Sequence, residues 1–196
     1  MKLRALSVVG LVVLGLSATA CTAESGAAAA SSESEIHAAP TLSTAELKKE
    51  LAKAVDGLEY TSESDYPFDV FVAPGTAGAP IDATAVKTAF NDLVGTKNTS
   101  GTALKDLVGS EERSFEEWMS NDTSNVDPTD PNAVKYAEGM SKAHDLMKAN
   151  LRDLKVFLIA EESLEKTEDV GFLHCFIVGR AADGSLVALH TGLVWT

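Results

Sequence analysis

The chain has 196 residues, 45 % hydrophobic, 23 % charged and 6 % aromatic, and its 16 basic and 29 acidic side chains give a formal charge of −13. This composition belongs to a globular protein and excludes collagen, coiled-coil and repeat architectures. So acidic a surface also excludes direct nucleic-acid binding, which needs clustered cations. Only Cys21 and Cys175 are present, too few for a scaffold stapled by several disulfides, so a packed core is expected to supply the stability.

Lys2 and Arg4 precede an apolar stretch from Ala5 to Ala20. At about sixteen residues it falls short of the roughly 18 to 20 that a spanning helix needs, so residues 1–20 read as an export signal. Its removal takes away two basic side chains, leaving 14 against 29 acidic ones and a formal charge of −15. The remainder suffices for one domain. Ala18-Thr19-Ala20-Cys21 resembles a lipobox, the motif of bacterial lipoproteins in which the cysteine is acylated and becomes the new N-terminus. That resemblance implies lipidation at Cys21 and a domain held in water at a membrane surface of the cell envelope. Ala18-x-Ala20 equally suits ordinary signal cleavage, which would leave a free thiol on a secreted or periplasmic chain. Residues 21–41 are Ala, Ser, Glu and Gly with almost nothing to bury, a flexible tether whose root-mean-square reach is about 25 Å. The domain then occupies residues 42–196.

Ser43-Thr44-Ala45-Glu46 has the spacing of a capping box, and Leu47, Leu51, Ala54 and Leu58 follow at helical spacing, predicting a helix over 44–55. Phe68-Asp69-Val70-Phe71-Val72 predicts a strand between Pro67 and Pro74-Gly75. Asp82 caps a second helix carrying Val86, Phe90, Leu93 and Val94, and Gly95 to Gly101 is loop chemistry. Leu104 to Val108 is open between helix and strand. A short helical turn is expected over 114–119. Pro131 then starts the longest helix, with Val134, Ala137, Met140, His144, Met147 and Leu151 along its inner face.

Val156 to Ala160, Phe172 to Val178 and Leu186 to Trp195 read as three closing strands. Runs without polar alternation, such as Val156-Phe157-Leu158-Ile159, imply a sheet covered on both faces. The expected fold is therefore α+β: an α/β/α sandwich with helices on both faces of a sheet of about four strands, ending in a β-hairpin. Asp183-Gly184 predicts a two-residue type I′ turn in that hairpin. In this register even-numbered residues pair with odd-numbered ones, so His174 and His190 lie on opposite faces and form no metal pair.

No Gly-x-Ser-x-Gly, His-Glu-x-x-His, phosphate loop or paired-cysteine metal signature occurs, so no nucleophile and base can be named and no enzyme activity is expected. Cys175 reads as a buried thiol without a cation to stabilise its thiolate. His37 falls in the tether, and His144 beside Asp145 reads as a partly packed surface histidine. Glu161, Glu162, Glu165, Glu168 and Asp169 read as a solvated loop, lacking the ligand order of a calcium loop.

One segment is unusually specific: Asp56-Gly57-Leu58-Glu59-Tyr60-Thr61-Ser62-Glu63-Ser64-Asp65-Tyr66-Pro67-Phe68-Asp69-Val70-Phe71. It closely resembles the nuclease A inhibitor family, in which an amphipathic helix ends in Asp-Gly-Leu before Ser-Glu-Ser-acidic-Tyr-Pro-Phe-acidic-Val-Phe. Trp118 after Glu116-Glu117, the long helix before Lys155-Val156 and the terminal Thr196 extend the resemblance over about residues 47–196. The resemblance implies an α/β/α sandwich that inhibits sugar-nonspecific DNA/RNA endonucleases of the ββα-metal type by filling their active site. It implies that Glu63, Trp118 and Thr196 approach the enzyme, the terminal carboxylate of Thr196 ligating the partner's catalytic magnesium. No cofactor of the chain's own is implied. A second reading, from a different class, is a lipid-anchored non-catalytic binding module for a small molecule or an envelope protein. Trp195 departs from the pattern: an indole beside the metal-ligating residue either deepens the contact or blocks it.

Overall fold

The computed structural model describes residues 42–95, 101–124, 126–164 and 171–195. Helix α1 (Thr44–Ala54) begins at the expected capping box, in which Ser43 Oγ accepts the Glu46 N–H while the Glu46 carboxylate accepts the Ser43 N–H. Asp56-Gly57 turns the chain, with Gly57 at φ +63°. Two short strands follow, β1 (Glu59–Thr61) and β2 (Asp65–Pro67), which pair with each other as a separate antiparallel hairpin. Strand β3 (Asp69–Ala73) comes next, and helix α2 (Ala83–Val94) is capped by Asp82, whose carboxylate accepts the Ala85 N–H at 2.8 Å.

The segment left open between helix and strand contains one 3₁₀ turn, Leu104–Asp106. Strand β4 (Gly109–Ser114) was not expected, and the anticipated short turn is a ten-residue helix, α3 (Phe115–Ser124). Helix α4 (Pro131–Asn150) starts at the predicted proline, with Asp130 capping it. Strands β5 (Arg152–Ala160), β6 (Gly171–Arg180) and β7 (Leu186–Trp195) complete the chain. The main sheet has five strands rather than about four, in the order β3-β7-β6-β5-β4, and every neighbouring pair is antiparallel. The fold is α+β. Among the described residues no helix is long and apolar enough to cross a membrane.

Alternate residues of the central strands enter two different cores. Val156, Leu158 and Ala160 pack with Leu173, Cys175, Ile177, Val187, Leu189 and Leu193 against residues of α1, α3 and α4. Phe157 and Ile159 pack with Phe176, Val178 and Ala188 against Val86, Phe90 and Val94 of α2 and Leu104 and Leu107. Both faces of these strands are buried, which is why their sequences show no polar alternation. Cys175 is a buried free thiol in the first core.

The closing hairpin departs from its predicted register. Ala181 and Ser185 still pair, the Ala181 N–H reaching Ser185 O at 2.9 Å, so three residues, Ala182-Asp183-Gly184, form the loop. Gly184 takes φ +90°, the left-handed position of a three-residue connection rather than part of a type I′ pair. The Asp183 carboxylate accepts the Ser185 N–H and the Thr44 hydroxyl, and these bonds, the first foremost, hold it below the ordinary carboxylate range. One extra loop residue moves the register by one. Even residues therefore pair with even ones, Phe176 with His190 and His174 with Gly192.

Candidate functional site

The Ser-Glu-Ser motif forms the tip of the β1–β2 hairpin, closed by the Thr61–Asp65 pair. Within the tip, Ser62 donates through both its N–H, at 3.3 Å, and its hydroxyl, at 3.0 Å, to Ser64 O. Glu63 is exposed at this turn. The hairpin is fastened to the last strand at two places. The Val194 N–H donates to Ser62 Oγ at 3.1 Å, and Thr191 Oγ1 donates to Tyr66 O at 3.1 Å. Gly192 makes the approach possible: a Cβ there would stand 2.7 Å from Phe172 Cε2 and 2.8 Å from Tyr66 Cγ. The Ser-Glu-Ser tip and the strand that leads to the C-terminus, far apart in sequence, thus meet at one edge of the domain.

Trp118 projects from α3 toward the same hairpin. Half-buried, it stacks on Tyr60 of β1 with centroids 6.3 Å apart and planes at 19°, and Tyr60 in turn meets Phe68 edge-on at 6.4 Å. Such offset and edge contacts fix aromatic rings beyond what burial alone achieves. Beside Trp118 runs a cleft of about 390 Å³ lined by Glu111, Glu112, Arg113, Ser114, Glu117 and Asn121. Arg113 makes a two-pronged pair with Glu111, Nε–Oε1 at 2.9 Å and Nη2–Oε2 at 3.0 Å, and its guanidinium carbon lies 5.9 Å from the centre of the Trp195 ring.

Helix α3 is tied to α4 behind this surface. Lys148 Nζ lies 2.8 Å from Glu116 Oε1 and His144 Nε2 lies 3.2 Å from Glu116 Oε2, while the His144 ring stacks on Phe115. The Lys148 bond first, and the His144 bond second, hold the Glu116 carboxyl below its ordinary range. His144 is thus a partly packed surface histidine, as its sequence neighbours suggested.

Glu63 and Trp118 are therefore gathered around the one hairpin, with β7 beside it. Thr196, Cys21, His37 and the acidic positions Glu165, Glu168 and Asp169 lie outside the described residues. Sequence reasoning missed Tyr60 and Arg113. Tyr60 was visible as part of the long motif, but its ring partner is 58 positions away. Arg113 was hidden because the polar run Gly109–Ser114 did not read as a strand.

The expectation that His174 and His190 lie on opposite faces is overturned. With the shifted register they share a face, and His174 Nδ1 stands 2.9 Å from His190 Nε2. Both are buried, among Phe71, Phe172 and Phe176. His190 Nδ1 faces Asp69 Oδ2 at 3.9 Å. The nitrogens bond directly to each other and leave no room for an ion between them. Among the described residues, no group of three or more His, Cys, Asp or Glu side chains could hold a metal.

A small acidic α+β domain, with a carboxylate at the tip of a docked hairpin and aromatic rings beside it, has the outward chemistry of a protein-binding module. The family model described as nuclease A inhibitor-like protein matches residues 45–196, and the chain belongs to that family. A search of curated proteins finds no match.

Proposed function

We propose that the chain is a protein inhibitor of a sugar-nonspecific endonuclease of the ββα-metal type, acting by occupation of the enzyme's active site and without turnover of its own. The family supports a nuclease inhibitor role in general. The observation that carries the finer reading is the bond from the Val194 N–H to Ser62 Oγ. It sets the exposed Glu63 next to the strand whose following residues are Trp195 and Thr196, while Trp118 stacks on Tyr60 of the same hairpin. We read Glu63, Trp118 and Thr196 as the nuclease-binding residues. Magnesium prefers hard oxygen ligands and retains exchangeable waters, so the terminal carboxylate of Thr196 can take the place of a substrate phosphate oxygen at the partner's metal without offering a bond to cleave.

In this reading the two cores described above are the filled spaces of an α/β/α sandwich, which holds β7 and the hairpin rigidly enough that little freedom is lost on binding. Acylation at Cys21, after removal of residues 1–20, would fix the domain to a membrane surface of the cell envelope through the tether at 21–41. An inhibitor so placed meets nucleases outside the cytoplasmic membrane.

The deciding experiment measures DNA hydrolysis by purified nucleases of this class with increasing amounts of the chain. Stoichiometric inhibition is expected. Glu63→Gln should raise the inhibition constant about 10- to 100-fold, the loss of one interfacial charge contact of about 1.4 to 2.8 kcal/mol, and deletion of Thr196 should do at least as much. Undiminished inhibition after that deletion removes the metal-ligation role alone. Failure of the intact chain against every nuclease of the class removes the inhibition reading itself.

A further inference from the structure

Trp195 is, with Leu93 and Val108, among the large apolar side chains that the domain leaves exposed, at 37 % of its surface. It is not loose. The Arg113 guanidinium lies over one face of the indole, 5.9 Å from guanidinium carbon to ring centre, near the outer limit of the range in which a cation is attracted by the ring's negative face. Arg113 is itself held by both carboxylate oxygens of Glu111. A forked pair of this kind fixes the plane of the guanidinium as well as its position. The backbone just before the indole is held as well, through the bond from the Val194 N–H to Ser62 Oγ.

Arg113 also lines the cleft beside Trp118. Arg113 thus neighbours both tryptophans, and the hairpin that bears Glu63 reaches both ends of the arrangement: Tyr60 stacks on Trp118, and Ser62 bonds to Val194. Glu111, Glu112 and Glu117 bring three carboxylates to the cleft; Glu111 is paired with Arg113 and Glu112 with Lys155 at 2.8 Å, so the rim keeps a net negative charge. A half-exposed aromatic ring that is already ordered, set in an acidic rim, suits a partner that presents basic side chains around an apolar spot.

We propose that Trp195 is a second aromatic anchor of the nuclease-binding surface and that Arg113 is a positioning residue, acting on the partner only through the indole it holds. The inference rests on the inhibitor reading and resolves the question Trp195 raised: the indole deepens the contact and does not block it. Arg113, held by Glu111, forms a rest for the indole, so the ring meets the partner in one orientation.

The test compares inhibition of a ββα-metal nuclease by the full chain and by Trp195→Ala, Trp195→Phe, Arg113→Ala, Arg113→Lys and the double variant Arg113→Ala/Trp195→Ala, with the urea midpoint of each recorded as a check of folding. Trp195→Ala should weaken inhibition about 10- to 100-fold, as truncation of an aromatic anchor does. Trp195→Phe keeps an aromatic ring and should retain most of the inhibition. Arg113→Ala should weaken inhibition severalfold in the native background and not at all in the Trp195→Ala background, because a positioning residue has nothing left to position. Arg113→Lys should recover part of the loss. Equal inhibition by Trp195→Ala and the native chain overturns the proposal and leaves the inhibitor function standing. An equal loss from Arg113→Ala in both backgrounds overturns its positioning role. Failure of the native chain to inhibit overturns both readings together.

Discussion

His174 and His190 show how much one loop residue decides. Their ring nitrogens, 2.9 Å apart, form a bond in which one imidazole donates and the other accepts. Around them stand Phe71, Phe172 and Phe176, with Phe172 in turn against Tyr66 at the foot of the hairpin. Removing one partner strips the other of this bond inside a largely apolar setting. His174→Leu should therefore cost about 1 to 3 kcal/mol, the usual penalty for leaving a buried polar group without its partner. Urea unfolding checks this, and an unchanged midpoint would show that the pair contributes nothing net. The pairing was not legible in the sequence. Asp183-Gly184 is a valid turn signal in two registers, and the three-residue loop prevails because Ala181 and Ser185 pair while Gly184 alone takes positive φ. Glu63 could be singled out in the sequence for a different reason. It belongs to a continuous motif, so no long-range register had to be inferred.

At the scale of elements, the local signals that carry their own chemistry identified α1 and α2 with their caps, Ser43 with Glu46 and Asp82, and α4 by Pro131 at its first position, its Asp130 cap emerging only in the structure. The elements that failed to show were those whose reason to exist is tertiary. Strand β4, Gly-Ser-Glu-Glu-Arg-Ser, has no apolar alternation and is a strand because it pairs along β5 from Gly109–Ala160 to Ser114–Lys155. The β1–β2 hairpin is equally polar and is held by β7. Trp118 could be singled out in the sequence, but its stacking on Tyr60 could not. Helix α4 contains a further element-level constraint at Gly139, where a Cβ would stand 2.5 Å from Ala54 O and 2.6 Å from Leu58 Cδ1. Propensity alone favours alanine over glycine within a helix by about 1 kcal/mol. The close approach of α1 and the Leu58 segment reverses that sign. Gly139→Ala should destabilise the domain by about 1 to 3 kcal/mol, the range for overpacking a filled interior. A thermal or urea transition that moves upward instead would mean that α1 can retreat from α4 at little cost.

For the molecule as a whole, the dominant physical quantity is the charge, −13 for the full chain. Acidity alone does not distinguish an inhibitor from any acidic soluble domain, but its effect on association does. A nuclease must attract polynucleotide phosphates, so its cleft presents cations, and the exposed carboxylates around the proposed binding surface, Glu63 and Glu117, would meet that field before contact. Opposite potentials of this kind raise the association rate and leave dissociation, which depends on short-range contacts, nearly alone. Raising ionic strength from 0.05 to 0.5 M shortens the screening length from about 14 to about 4 Å. The association rate constant should then fall about tenfold or more, with the dissociation rate constant changing far less. Stopped-flow mixing of the chain with the nuclease it inhibits measures both. A rate indifferent to salt would assign the acidity to solubility and leave the short-range contacts at Glu63, Trp118 and Trp195 to account for binding alone. The opposite partition, with salt acting mainly on dissociation, would mean that the carboxylates form desolvated pairs at the interface, and Glu63→Gln would then slow association little while speeding release.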